Sequence, residues 1–174
     1  RPEGGTFLAF LMLEQPVWDG EQWKRDLRDD WGIPCMTEES DGEDGGVSFV
    51  FEMGRMLASV GFFPAPIPHG EAEENARHNY LWPEAEEAAR GHRGHFLVSV
   101  LARGEDPVRA AQLQVKLVSS ACRQAGVLGV YANGTVYQPE FYQSAAEPLK
   151  NEELPLLDLV WPGLYRREGG LCAY

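Results

Sequence analysis

The chain has little of what most often announces a function. Its 174 residues include only three cysteines (Cys35, Cys122 and Cys172) and three lysines. An odd cysteine count without a Cys-x-x-Cys pair offers no zinc knuckle or redox motif, and agrees with a reducing compartment. The longest apolar stretches, residues 7–13 and 96–102, are about seven residues long, against the roughly 20 that a membrane-spanning helix needs. The chain starts at Arg1 without a charged-then-apolar export signal, so a cytoplasmic location is the expectation. Positive charge is scarce: 15 basic against 27 acidic side chains give a formal net charge of -12. Phosphate binding draws on clustered Lys and Arg, and the one basic cluster (Arg90, His92, Arg93, His95) is short, so no nucleic acid is expected as partner. Acidity of this size favours solubility or a basic partner, and by itself says nothing about fold. Also missing are Gly-x-x-x-x-Gly-Lys-Ser/Thr, Gly-x-Gly-x-x-Gly, Gly-x-Ser-x-Gly and His-Glu-x-x-His, the common devices of phosphate, dinucleotide, hydrolase and zinc chemistry.

What is present is a globular composition, 44% hydrophobic, in a chain long enough to bury about 70% of its unfolded surface in one core. Thr6–Leu13 is a continuous apolar run, which predicts a strand covered on both faces. Asp19 and Gln22 predict a capping box ahead of a helix carrying Trp23, Leu27 and Trp31 and ended by Gly32 and Pro34. Residues 37–46 hold five carboxylates and no apolar side chain, as a solvated connector would. Residues 47–51 and 56–63 predict a hairpin, with a wide bend or a short helix over 56–60 as the alternative, stopped by the prolines at 64, 66 and 68. A helix is expected over 71–81, with Pro83 kinking it or starting a second helix to Arg90. Residues 95–102 predict a second buried strand. Asp106-Pro107 then opens a helix with Val108, Ala111, Val115, Val118 and Cys122 on one face and Gly126 as its C-cap. Asn133-Gly134 marks a two-residue hairpin turn between strands at 127–131 and 135–137. Residues 139–150 predict a short helix, and 154–161 and 164–174 terminal strands, the last folded back at Glu168-Gly169-Gly170.

Residues 6–102 thus spell β-α-β-β-α-β, the order of a ferredoxin-like split βαβ unit with both helices on one face of an antiparallel sheet. Residues 103–174 add α-β-β-α-β, extending that sheet or forming a partial second unit. The expected fold is α+β, with helices packed on a mainly antiparallel sheet. It is expected as one domain over residues 1–174 with lobes at 6–102 and 103–174, and with cover on both faces of the strands at 7–13 and 96–102.

The richest chemical stretch is residues 69–82. On a helix Glu71, Asn75, His78 and Trp82 fall within about 60° of one another, with Ala72, Ala76, Asn79 and Tyr80 as the next stripe. Such a face can set Glu71 or Glu74 beside His78 as an acid/base pair. Asn75, Asn79, Trp82 and Tyr131 are the candidate ligand contacts. The ordinary alternative is the stronger one: first-turn acids complement the helix dipole, Glu73 and Arg77 form a surface pair, and Trp82 belongs to the core. Neither His69, Glu73 and His78 nor His92 and His95 have a spacing that demands a metal, and no cofactor is expected. Cys122 reads as an inert buried thiol. Tyr131, Tyr137, Phe141, Tyr142, Trp161 and Tyr165 make an aromatic second half that packs the core or walls a pocket.

A set of strings carries a resemblance: Phe62-Phe-Pro-Ala-Pro-Ile-Pro with Gly70-Glu-Ala-Glu-Glu, Asn79-Tyr-Leu-Trp-Pro-Glu-Ala, Ala121-Cys-Arg-Gln, Gly129-Val-Tyr-Ala-Asn-Gly-Thr-Val-Tyr with Pro139-Glu-Phe-Tyr, and Gly163-Leu-Tyr-Arg. Together, from about Phe7 to the C-terminus, they resemble the bacterial family named domain of unknown function 4261. The resemblance implies a bacterial cytoplasmic protein and supplies no reaction, cofactor or catalytic residue. It also implies relatives that continue past Tyr174, so the last strand is expected at an exposed edge through which copies of the chain can pair. Two functions are carried forward. The first is a non-catalytic binding or interaction module that neutralises a basic protein partner such as a toxin, supported by the charge, the acidic loop and the missing catalytic devices. The alternative is a hydrolase or small-ligand-binding enzyme with an acid/base site on the helix 71–82, centred on Glu71, Glu74, Asn75 and His78.

Overall fold

A computed structural model describes residues 5–35, 40–41, 45–167 and 170–173. Most of the acidic connector, the turn residues Glu168 and Gly169 and the side chains of Tyr165 and Cys172 lie outside what is described. The centre of the fold is β1 (Thr6–Leu13), paired antiparallel on one edge with β5 (Gly94–Leu101) and on the other with β6 (Val127–Ala132). Beyond β5 lie β4 (Met56–Phe63), β3 (Val47–Met53) and the two-residue β2 (Ser40–Asp41); beyond β6 lies β7 (Thr135–Tyr137). These strands make one seven-stranded antiparallel sheet.

Because successive side chains of a strand point to opposite faces, β1 feeds two cores. Ala9, Leu11 and Leu13 pack with Phe96 and Val98 beneath α1 (Gly20–Trp31) and α4 (Pro107–Ala121). Phe10 and Met12 pack with Tyr131 and Val136 beneath α2 (Glu71–Ala76) and α3 (Ala85–Gly91), whose alanines 72, 76, 85 and 89 allow close approach. The cover is two-sided, as the unbroken apolar run requires. The remainder of the second face, around Leu8, Val50 and Phe63, is bare.

The α+β class, the antiparallel sheet and the packed helices are as the sequence indicates. Two details depart from a split βαβ unit and lie beyond what element order can determine. Strand β5 sits between β4 and β1, and α1 lies on the opposite face from α2 and α3. Residues 103–174 extend the same sheet through β6 and β7, then add α5 (Pro139–Ala146), a 3-10 turn (Glu147–Asn151), α6 (Leu156–Leu159) and a separate hairpin of β8 (Leu164–Arg167) with β9 (Gly170–Ala173).

Local chemistry explains the boundaries. Asp19 caps α1 by accepting from Gln22 N–H at 2.8 Å. The reciprocal half of the expected box is replaced by a distant group: Gln124 accepts from Asp19 N–H at 3.1 Å and donates to its carbonyl at 3.0 Å, docking α1 on the end of α4. Trp23 adds a bond from its indole to Leu117 O at 3.2 Å. Asp106 caps α4 as expected, through Val108 N–H, and Val108 itself is exposed. That helix stops at Ala121, with Gly126 in the turn into β6. Asn133 (φ 52°) and Gly134 (φ 72°) both take the left-handed conformation a two-residue hairpin turn demands.

Two expected elements are corrected. The helix over 71–81 ends at Ala76, because Asn79 Oδ1 accepts from Leu81 N–H and Trp82 N–H, each at 2.9 Å, and Pro83 disfavours helical backbone at Trp82. The strand expected over 154–161 is a turn containing α6. Pro155 has no amide for a ladder, and Leu159 N–H and Val160 N–H bond back to Pro155 O and Leu156 O.

Close packing at the β1/β6 junction gives a test. A Cβ on Gly129 would lie 2.9 Å from Met12 Cε, 3.0 Å from Val136 Cγ1 and 3.3 Å from Tyr137 O. Gly129→Ala is expected to lower the urea unfolding free energy by about 1–3 kcal/mol; an unchanged midpoint would show that β6 has slack there.

Candidate functional site

Three of the singled-out residues converge where α2 crosses β6. Tyr131 O–H donates to Glu71 Oε1 at 2.7 Å, and Asn75 Nδ2 donates to the Tyr131 phenol oxygen Oη at 3.1 Å and to the Glu71 carbonyl at 2.8 Å. Glu71 and Asn75 are one helical turn apart, so even a six-residue helix presents both to the same phenol. Phe10 supports the Tyr131 ring from below, 5.9 Å between centroids. Burial, then the bond to Glu71 and its charge, raise the Tyr131 phenol well above its ordinary pKa. The phenol therefore stays a donor, and the trio is a polar clamp between helix and sheet.

The other candidates point elsewhere. Glu74 pairs with Arg77 at 2.6 Å, and Arg77 and Arg90 both pair with Glu86, in an exposed chain that holds the Glu86 carboxyl below the usual range through the Arg77 hydrogen bond. Exposed pairs of this kind contribute little to stability. Glu73, expected to pair with Arg77, instead lies 4.0 Å from His92 Nδ1. His78 falls past the end of α2, exposed and without a side-chain partner. Glu71, Glu74 and His78 thus do not form an acid/base group. Asn79 Nδ2 donates to Val136 O at 2.5 Å, closing the outer edge of β7.

Both buried histidines pin the proline-rich link between β4 and α2. His92 Nε2 accepts from Ile67 N–H at 2.8 Å, so its proton sits on Nδ1 and is donated to Ala89 O. His95 Nδ1 bonds Ala65 O at 2.7 Å, with its ring stacked on Phe63, and burial lowers its pKa. Among the described residues no three His, Cys, Asp or Glu side chains are placed to hold a metal. No helix among them is long and apolar enough to cross a membrane.

Asn79 and Trp82 do meet the aromatic second half. With Tyr137, Phe141 and Trp161 they line a cleft of about 30 Å³, room for a water or two and no substrate. Tyr137 stacks on Phe141 and meets Trp161 edge-on, so the aromatics form a closed seam. A larger groove of about 650 Å³ lies on the α1/α4 side, between Trp31, Met53, Met56, Arg109, Lys116 and Leu149. Its residues come from four separate stretches, and no local sequence signal joins them.

The residue missed altogether is Asp158. It is 1% exposed, neither carboxyl oxygen has a hydrogen-bond partner among the described residues, and burial pushes its pKa up to about 8. Beside it Asn133 Nδ2 donates to the Asp158 carbonyl at 2.7 Å, while Tyr142 OH and Thr135 Oγ1 are also buried without partners among the described residues. Cys122 is buried as expected, and burial pushes its thiol up, with the Asp158 charge adding to the effect. The available signal was that Asp158 is the one charged residue between Leu154 and Trp161.

Tyr131→Phe removes the hydroxyl that joins Glu71 to Asn75. It is expected to cost about 0.5–1.5 kcal/mol in urea unfolding with an unchanged circular dichroism spectrum; equal stability would mean the clamp contributes nothing. No family model, no curated protein and no solved structure matches the chain.

Proposed function

We propose that the protein is a non-catalytic interaction module that binds, and so neutralises, a basic protein partner such as a toxin. The observation that carries this is an apolar ridge on the surface. Leu154, Leu156, Leu157 and Val160 are 47%, 62%, 54% and 58% exposed within seven residues of chain. Contiguous exposed apolar surface is the usual mark of a docking site. Tyr80 extends the ridge, its ring packed at a tilt against Trp161 and its hydroxyl donating to Pro162 O at 2.8 Å, with exposed Leu81 beside it. Glu152 and Glu153 flank it, exposed and without ion pairs, on a chain of net charge -12. An apolar centre with an acidic rim suits a partner that presents apolar side chains ringed by Lys and Arg, steered to the site by charge.

The hydrolase alternative has less support, since Glu74 and His78 turn away from Glu71 and the cleft beside Trp82 admits only water. With the family that it resembles, the module belongs in the bacterial cytoplasm.

The paired change Leu156→Ser and Leu157→Ser alters exposed positions and is expected to leave the fold within about 0.5 kcal/mol of the parent. In capture from bacterial lysate, the parent chain is expected to retain a basic protein in a salt-sensitive manner, and the double variant to lose it. Equal retention by both chains would move the interface elsewhere. A co-purifying small molecule with no retained protein would favour the enzyme alternative.

A further inference from the structure

The segment that offers the leucines is built inside out. In α6 two leucines face outward, whereas Asp158, its one charged residue, is buried. The elements packed on α6 are α4 and α5, with the β6–β7 turn bonding to it through Asn133. What they direct at Asp158 is neutral: the Cys122 thiol after α4, the Tyr142 phenol of α5 and the Tyr137 phenol of β7, with Tyr80 beyond Tyr137. A further charge at this seam is another acid, Glu140 of α5, which acts on Cys122. Among the described residues no Lys, Arg or His pairs with Asp158; Arg123, just past Cys122, is committed to Asp26 and Asp30. An ionised carboxylate here would be a buried charge with neither counter-ion nor hydrogen bonds, which costs far more than the neutral acid.

The segment is also lightly held. Its ties to the body are the packing of α6 on α4 and α5, the half-buried Leu159 and Trp161 at the margin of the core, and two long-range side-chain hydrogen bonds, Asn133 to the Asp158 carbonyl and Tyr80 to the Pro162 carbonyl. Elements with few buried apolar side chains open locally before the whole domain unfolds.

We propose that Asp158 is a proton-operated latch: as a neutral acid it seats residues 154–161 against α5 and the β6–β7 hairpin, and loss of its proton releases them. Release changes the surface on which the leucines are displayed. The regulatory meaning rests on the interaction function proposed above, while the latch itself rests only on the burial of Asp158. The sign follows from linkage. The seated form holds its proton up to about pH 8, whereas the released form loses it near the ordinary value of 3.8. Opening therefore rises with pH between these limits, about tenfold per unit, and levels off above the upper one.

Hydrogen exchange of the full chain tests this, with amide rates corrected for intrinsic chemistry. From pH 6 to pH 8 the protection of residues 156–161 is expected to fall about fiftyfold, while that of α4 does not fall in parallel. In Asp158→Asn, protection of the same amides is expected to be independent of pH. A flat profile in the parent chain overturns the latch, as does an equal fall in Asp158→Asn. If that variant does not fold, the parent profile decides alone. The measurement involves no partner, so a failed latch leaves the interaction function standing, and a failed capture leaves the latch standing.

Discussion

Strand β1 constrains the rest of the molecule. It is hydrogen-bonded along both edges, to β5 and β6, and Ala9, Leu11, Met12 and Leu13 are all but fully buried on its two faces. Each large side chain so buried contributes about 1.5–3 kcal/mol, but only if something covers each face. That requirement puts α1 and α4 on one side and α2 and α3 on the other. It also binds the two halves of the chain together, because β1 and β5 come from residues 6–102 whereas β6 and α4 come from 103–174. A second, independent unit would strip β1 of one edge and part of its cover.

The features legible in the sequence are those fixed by neighbours in the chain. The unbroken run from Thr6 to Leu13, the Asp106-Pro107 start and the Asn133-Gly134 turn each carry their cause within a few residues. The features that were not legible depend on distant partners or on competition between local ones. Gln124 takes the place of Gln22 at the cap of α1. Asn79 diverts its side chain to the amides of Leu81 and Trp82 and ends α2 early. Strand order depends on which edge β5 occupies, which element order leaves open. Apolar residues 154–161 read as a strand because composition does not reveal that Pro155 and the backbone of Leu156 close a helical turn.

The candidate site divides along the same line. Glu71 and Asn75 meet Tyr131 because one helical turn suffices to align them, whereas His78 and Trp82 lie two and six residues past the end of the helix that forms. The result is a clamp, with Glu74 and Glu86 engaged by arginines and His92 and His95 by backbone groups. The proposed interaction surface lies instead on the 154–161 segment, where exposed leucines lie over a buried acid, buried phenols and a thiol.

One physical claim ties that segment together: its leucines face outward because its aspartic acid faces inward as a neutral acid. The most direct test is a carbon-13 NMR titration of the Asp158 carboxyl in the folded protein. A midpoint near 8 is predicted, against 3.8 for an ordinary aspartate. A midpoint in the ordinary carboxylate range would mean that Asp158 is solvated or paired as an anion, and would contradict the account of why α6 is built inside out.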